Sequence, residues 1–452
     1  MSMKSVLAEE LTKISLSREE LLSMNKIAKD FIASLKGEGV KAYVGGSLAK
    51  GTMVNRPGKQ DVDIFVVFDY SEDILKLEKI LGHQTGVPLG VGLPGSTSDG
   101  AKVKLPGELK KVHGSRDYFQ IICSDVILEV IPVVKNRDPE TAENVTDVSL
   151  SHVKYVGGAV RASQVPSSMA KNIGIADEIK LAKAFCQANR FYGAESYIHG
   201  FSGYSLEVLV IHFGSFVKFL KGIGKKRVID PLKYFKCERE VMNELNSSKL
   251  QGPLVLIDPT YKYRNVSAGL GSETFEKFKT VAGAFLKSPS LEFFERKAID
   301  VEGMKKLARN SVPSKLGTKV PSSSGKGCFV KVSLGTDRQE GDIAGTKMKK
   351  LLDFFVRELE RKQQVVVRRE FDYDGGQSAE GYIVVVEKPE IEVRGPSVGL
   401  EDAVKAFRKA KGKRAFVKGK FWWYKEKVSV ESVFDSVKKV AKEMGASGKL
   451  AI

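Results

Sequence analysis

The chain has 452 residues, length for about three domains, and carries 73 lysines and arginines against 55 acids, a net charge of +18. Such an excess points to a polyanionic partner, most often a phosphate backbone, with solvated lysine faces as the plainer account. Cys123, Cys186, Cys237 and Cys328 stand far apart without a Cys-x-x-Cys pair, which argues against a disulfide framework and zinc modules and fits a reducing cytoplasm.

Met1 to Glu10 mixes charges without an apolar core, so no secretory leader is expected. Ser17 with Glu20 three residues on is a capping-box signal. Met24, Ile27, Ala28, Phe31 and Leu35 follow at helical spacing until Gly37 and Gly39 stop the helix. Val40 to Val44 reads as a strand, and Gly45-Gly46 lets the backbone turn so that N–H groups and the Ser47 hydroxyl can face a polyphosphate. Asp61 and Asp63 then share one face of a strand that is otherwise apolar from Val62 to Phe68. A lone Asp-x-Asp is usually a solvated turn, but carboxylates inside an apolar strand repel and cost several kcal/mol unless cations or donors compensate them. Divalent cations bridged by such a pair would serve phosphoryl chemistry.

Gly86 to Gly107 is rich in glycine and proline and reads as a loop. A strand from Ile121 to Val134 holds a lone acid, Glu129, the best candidate for a third metal ligand, with Asp125 the weaker choice and a solvent-reaching glutamate the plain alternative. From about Ala176 to Leu220 the period changes to 3.6, so this part is expected to be helical. Phe201 to Leu220 is the most apolar run, but Glu207, His212 and Lys218 interrupt it, favouring a buried helix over a membrane span. Mixed α/β patterning resumes after Leu270: a strand at Phe329 to Val332, a helix from about Gly345 to Lys362, and strands at Val365 to Val367 and Tyr382 to Glu387. Ser311 to Lys326 reads as a flexible loop. Between Lys405 and Lys427 ten basic residues interleave with Phe407, Phe416, Phe421, Trp422, Trp423 and Tyr424, a pattern for gripping phosphates, with most of the aromatics expected in a core.

Gly45-Gly46-Ser47-Leu48-Ala49-Lys50-Gly51-Thr52 followed by Asp61-Val62-Asp63-Ile64-Phe65 resembles the signature of the DNA polymerase β-like nucleotidyltransferase superfamily. Tyr192-Gly193-Ala194-Glu195, Gly200-Phe201-Ser202-Gly203-Tyr204, Asp258-Pro259 with Arg264-Asn265-Val266, Pro289 to Phe294, Gly395-Pro396 and Lys413 to Val417 narrow it: they are similar to the archaeal, class I CCA-adding enzymes over nearly the whole chain. The resemblance implies an α+β multidomain protein: a nucleotidyltransferase head domain over 1–150, a helical central neck over 151–270, and an α/β C-terminal tRNA-binding region over 271–452. It implies template-independent addition of the 3′-terminal CCA of tRNA from CTP and ATP by a cytoplasmic, non-membrane homodimer. Another terminal nucleotidyltransferase, such as a poly(A)-type polymerase, or a non-catalytic RNA-binding protein are the alternatives. Carried over by position, Asp61, Asp63 and Glu129 would bind magnesium (Mg2+) and be catalytic. Gly46, Ser47 and Lys50 would hold the triphosphate, while His152, Lys183 and Tyr192 would contact the nucleotide and Arg264 would read the base edge. Taken alone, His152 reads as a backbone cap, Lys183 as a surface lysine, Tyr192 as core and Arg264 as a phosphate contact. The chain departs from its archaeal relatives in having Asp61 where glutamate is frequent, Glu129 where aspartate is usual and Lys50 where arginine is common.

Overall fold

Val62, Ile64, Val66 and Phe68 point to one side of a single strand and Phe65 to the other, and all five are buried. A strand covered on both faces needs neighbours on both edges and layers above and below. The computed structural model supplies them; it describes residues 2–85, 108–114, 116–123, 126–136, 139–163, 173–310, 326–337, 339–443 and 445–452. The chain divides into two compact units, Met1–Lys297 and Ala298–Ile452.

The first unit begins with helices α1 (Met3–Ile14) and α2 (Arg18–Ser34). The expected capping box forms: Glu20 N–H donates to Ser17 Oγ and Ser17 N–H to the Glu20 carboxylate. Strand β1 (Lys41–Val44) leads through a one-residue turn into the five-residue helix α3 (Gly46–Lys50), and β2 (Gln60–Phe68) and helix α4 (Lys76–Thr85) follow. The expected strand over Ile121–Val134 is instead two strands. β3 (Glu108–Val112), β4 (Tyr118–Ile122) and β5 (Val126–Val134) complete a sheet of order β1-β2-β5-β4-β3. Cys123 N–H donates to Val126 O where the chain passes from β4 to its antiparallel neighbour β5; only Ser124 and Asp125 interrupt the apolar sequence between them, too short a break for periodicity to show. β2 and β5 are parallel, and every other pairing is antiparallel. Residues 86–107 and Asp125 lie outside the described residues.

Helices α5 (Ser149–Ser163), α6 (Ile175–Ala188), α7 (Gly203–Phe213) and α8 (Phe216–Gly222) form the expected helical layer. Between α7 and α8 the axis bends by 92°, and among the described residues no single helix is long and apolar enough to cross a membrane. The same unit also holds β6 (Val228–Ile229), helix α9 (Glu238–Glu244), β7 (Val255–Asp258) and β8 (Tyr261–Asn265), with the three strands in a small sheet. Helix α10 (Ser272–Lys287) lies beyond the expected neck boundary at 270, yet Phe275, Phe278 and Phe285 join Phe185, Phe201, Phe216 and Phe219 in one buried aromatic core. Such rings contribute about 0.5–1.5 kcal/mol per well-oriented pair beyond the area they bury. α1 joins this helical core through Val6, Leu7 and Ile14.

The second unit opens with helix α11 (Val301–Arg309); residues 311–325, nearly all of the expected loop, lie outside the described residues. β9 (Lys326–Gly335), helix α12 (Gly341–Arg361), β10 (Val365–Tyr373) and β11 (Ser378–Glu387) appear where the sequence places them and are longer than expected. β12 (Glu390–Ser397), helix α13 (Glu401–Lys411), β13 (Ala415–Lys418) and β14 (Phe421–Lys427) make a three-stranded sheet of order β12-β14-β13 with one helix. Helix α14 (Val430–Glu443) and β15 (Ser447–Ala451) return to the larger sheet, β10-β11-β9-β15. The aromatics of the basic run are half-buried rather than core, because so small a sheet cannot enclose six rings. They alternate: Trp422 and Tyr424 lie under Arg408 and Lys411 of α13, while Phe421 and Trp423 lie on the other face under Arg394 and Lys418.

Candidate active site

The turn after β1 is tied to the carboxylate strand by its own backbone. Gly45 N–H donates to Asp63 O at 2.8 Å, so the turn and Asp63 share one ladder position. Gly46 takes φ +54°, and a Cβ there would run into the Asp63 carboxylate. Only glycine meets both demands, which accounts for the Gly45-Gly46-Ser47 sequence. Ser47 follows in the first turn of α3, half-buried.

In the parallel register of β2 and β5, Asp63 lies beside Glu129, and Asp61 lies two residues back on the same face. Gln120 of β4 pairs with Glu129 across the sheet and donates to Glu129 Oε1 at 2.8 Å. Burial raises all three carboxyls. Glu129 is pushed up to about 7, burial first and Asp63's charge second. For Asp63 the Lys50 ammonium offsets part of the rise. Among the described residues none of the three forms an ion pair, nor do three or more His, Cys, Asp or Glu make a metal cage by themselves. The donor set still suits a hard divalent cation: magnesium is generally held by one or two carboxylates, with water and substrate phosphates filling its shell.

A second group of charges is closed. Lys50 and Lys183 each place an ammonium 2.7 Å from Glu207, on opposite carboxylate oxygens, and Thr52 Oγ1 donates to the same carboxylate at 2.8 Å. Burial alone would raise Glu207; the two ammonium groups reverse that and hold it at about 2. Lys183 is therefore a buried lysine, 3% exposed, and not the surface residue its sequence context suggests.

A third group surrounds Asp258 at the end of β7. Tyr204 OH and the Thr260 N–H and hydroxyl donate to Oδ1 at 2.9, 2.8 and 2.8 Å, and Arg264 Nη1 donates to Oδ2 at 2.9 Å. His152 Nε2 lies 3.1 Å from Oδ2 and 2.9 Å from Arg264 Nη1. A protonated Nε2 donates to Asp258 and a bare Nε2 accepts from Arg264, so one nitrogen serves one partner at a time. The His152 ring stacks on Tyr204 with centroids 3.8 Å apart, and burial keeps its pKa below the ordinary value. Burial raises the Asp258 carboxyl, and His152, Arg264 and the Thr260 N–H reverse this to about 2. Arg264 thus uses Nη1 on the protein while its side chain stays 26% exposed.

Tyr192 is the link to the first group. A Cβ on Gly203 would meet Tyr192 OH at 2.7 Å, which places the hydroxyl over the first turn of α7. The Arg56 guanidinium lies 5.4 Å from the Tyr192 ring centre, and its field also reaches Asp61 and Glu129. Arg56, Gln120, Glu207 and Asp258 are the site residues sequence reasoning missed. In the sequence Glu207 shows only as a break in an apolar run and Asp258 only as part of a motif, and neither signal carries a role.

Residues 24–113 match the family model described as nucleotidyltransferase domain, and residues 177–295 match that described as tRNA nucleotidyltransferase, second domain. Both lie within Met1–Lys297. The first unit is thus similar to nucleotidyltransferases in its earlier part and to tRNA nucleotidyltransferases in its later part. Nucleotidyltransferases of this kind use divalent metals. The chain is similar to the CCA-adding enzymes of Nanoarchaeum equitans (38% identical over 237 residues, 52% of each chain) and Thermococcus kodakarensis (31% over 312 residues, 65% of this chain and 61% of the relative). That of Methanocaldococcus jannaschii is 29% identical over 316 residues, 67% of this chain and 64% of the relative. The chain thus spans from about half to under two-thirds of the length of these curated relatives. A solved structure described as "Structural Basis for the Activity of a Cytoplasmic RNA Terminal U-transferase" overlaps 65% of this chain and 98% of that chain at TM-score 0.46 and 13% identity, a likeness that carries no argument about chemistry.

Proposed function

We propose that the protein completes or repairs the 3′-terminal CCA of tRNA from CTP and ATP, releasing pyrophosphate. The observation that carries this reading is the row of carboxylates Asp61, Asp63 and Glu129, none of them in an ion pair with a described residue, held against the Gly45-Gly46-Ser47 turn in a unit that matches nucleotidyltransferase family models. On this reading Asp61, Asp63 and Glu129 hold the divalent cation, magnesium, which when bound neutralises the triphosphate and favours the 3′-hydroxylate of the primer. Ser47 and Lys50 orient the triphosphate from the α3 side. Tyr192 bounds the nucleotide on the neck side, and the open edge of Arg264 meets acceptors shared by cytosine and adenine. His152 keeps Arg264 and Asp258 in register. No protein nucleophile is required, because an in-line displacement passes the nucleotidyl group directly to the hydroxyl.

The primer calls for a basic surface, and the second unit has one in α13, β13 and β14. Lysines and arginines that lie over half-buried aromatics suit phosphates and exposed bases, and shape rather than base sequence would be read. A homodimer in the cytoplasm belongs to the same reading, on the strength of the family alone. The test supplies tRNA lacking its terminus with labelled CTP and ATP, separately and together, and sequences the products. Two cytidines and one adenosine followed by a stop are expected; homopolymeric tails, or no incorporation in the presence of magnesium, contradict the reading.

A further inference from the structure

Charge is unevenly spread over the first unit. Outside residues 218–239 it carries 33 lysines and arginines against 32 acids, and within those 22 residues it carries eight against two, Asp230 and Glu238. Lys218, Lys221, Lys225, Lys226, Lys233 and Lys236 are all exposed, and none forms an ion pair with a described residue. Unpaired lysines gathered this closely repel one another, and a bound polyanion relieves the repulsion.

The segment is held in shape by the fold around it. Lys218 and Lys221 stand one turn apart on the outer side of α8, whose Phe216, Phe219 and Leu220 are buried in the helical core. Asp230 accepts from the Phe235 N–H at 2.9 Å and closes the turn after β6. Within that turn Lys233 takes φ +56°, a left-handed conformation that is strained for a lysine. Tyr234 is 43% exposed, and its hydroxyl donates to Pro259 O at 2.6 Å, which ties the ring to the hairpin between β7 and β8. The charges of Asp258 and Lys262 both reach that hydroxyl, and the Lys262 ammonium lies 4.6 Å from the Tyr263 ring centre. The lysine segment thus meets the hairpin of Asp258 and Arg264 at Tyr234.

We propose that this face of the first unit is a second nucleic-acid surface, distinct from that of α13, β13 and β14: its lysines hold the phosphates of a single RNA strand, and Tyr234 stacks on an unpaired base. A ring standing clear among ammonium groups suits a strand whose bases are open, whereas a duplex hides its base faces. The inference takes from the reading above only that the polyanion is RNA; it requires neither CTP, ATP nor a CCA end.

The test is binding of a fluorescent oligouridylate dodecamer to the full chain, followed by anisotropy over a range of salt, with a blunt RNA duplex of equal length beside it. Lys221→Gln/Lys225→Gln/Lys226→Gln should weaken single-strand binding about tenfold and flatten the dependence of log affinity on log salt by about two units, since each phosphate contact on a single strand contributes about 0.7. Lys26→Gln/Lys29→Gln/Lys36→Gln removes the same charge from exposed lysines in and just after α2 and should change neither. Tyr234→Leu should weaken the single strand about tenfold with its salt slope kept and the duplex unaffected, while Tyr234→Phe, which retains the ring, should bind as wild type does.

An unchanged slope in the first triple variant, or equal losses in both triple variants, overturns the proposal. Full single-strand affinity in Tyr234→Leu, or an equal loss for the duplex, overturns it as well. Displacement of the strand by polyglutamate at equal charge concentration would make the face a site for an acidic protein and would also overturn it. Thermal unfolding checks that each variant is folded; should Tyr234→Leu not fold, the lysine variants decide. Strand binding that behaves as expected while no CCA is made would refute the proposed reaction and leave this inference intact.

Discussion

Two sets of buried carboxylates in the first unit are treated in opposite ways. Glu207 and Asp258 are each surrounded by donors and cations and are held at about 2. Asp63 and Glu129, on neighbouring strands, share no ion pair with any described residue and are raised, Glu129 to about 7. Charges that only brace the fold are compensated by the fold itself, since a buried charge without a partner costs several kcal/mol. Charges left uncompensated destabilise the unliganded protein and are retained where something that binds will compensate them. The contrast therefore separates carboxylates that hold the site's own side chains in place from carboxylates left open to a cation.

The largest effect expected from breaking it is at Asp63. Asp63→Asn should reduce incorporation on the order of a thousandfold while tRNA binding stays within about twofold, measured by labelled nucleotide addition and filter binding. Stability should respond in the opposite order. Glu207→Ala leaves Lys183 buried without its counter-ion and should cost about 3–5 kcal/mol in urea unfolding, whereas Glu129→Gln in metal-free buffer should be neutral or slightly stabilising. The pH dependence has a definite sign: the folded pKa of Glu207 is below its unfolded value, so its contribution is present above pH 4.5 and is lost as pH falls toward 2. Glu207→Gln should flatten that acid limb of stability.

Arg264→Lys replaces a planar fork by a point charge and should reduce discrimination against UTP and GTP by about tenfold, read as ratios of kcat/KM. Smallest is the effect in the second unit. Arg394→Ala or Lys418→Ala should each flatten the dependence of log affinity for tRNA on log salt by about one unit, and an unchanged slope would remove that face from the RNA-binding surface.

Much of the first unit is legible locally. The capping box at Ser17, the alternation that puts Asp61 and Asp63 on one face, and the glycine turn before Ser47 are short-range signals, and each appears as read. What escaped depends on distance along the chain. Thr52 and Glu207 are 155 residues apart and His152 and Arg264 are 112 apart, so no local period marks Glu207 as an anchor or Asp258 as a hub. Lys183 followed the same rule, because its helix carries other charges at Asp177, Glu178 and Lys180 and only the tertiary fold shows that Lys183 is the buried one and which carboxylate meets it. The turn between β4 and β5 was missed because both strands are apolar on either side of it. In the second unit the aromatic run reads as mostly core, but alternation alone does not tell an enclosed ring from one lying under an arginine.

The claim that the unpaired carboxylates, and not the paired ones, form the cation site is tested most directly by manganese binding followed by electron paramagnetic resonance. Wild type and Glu207→Gln should both take up Mn2+, and Asp63→Asn should lose it. Uptake that survives Asp63→Asn, or that disappears with Glu207→Gln in a folded protein, would contradict the division.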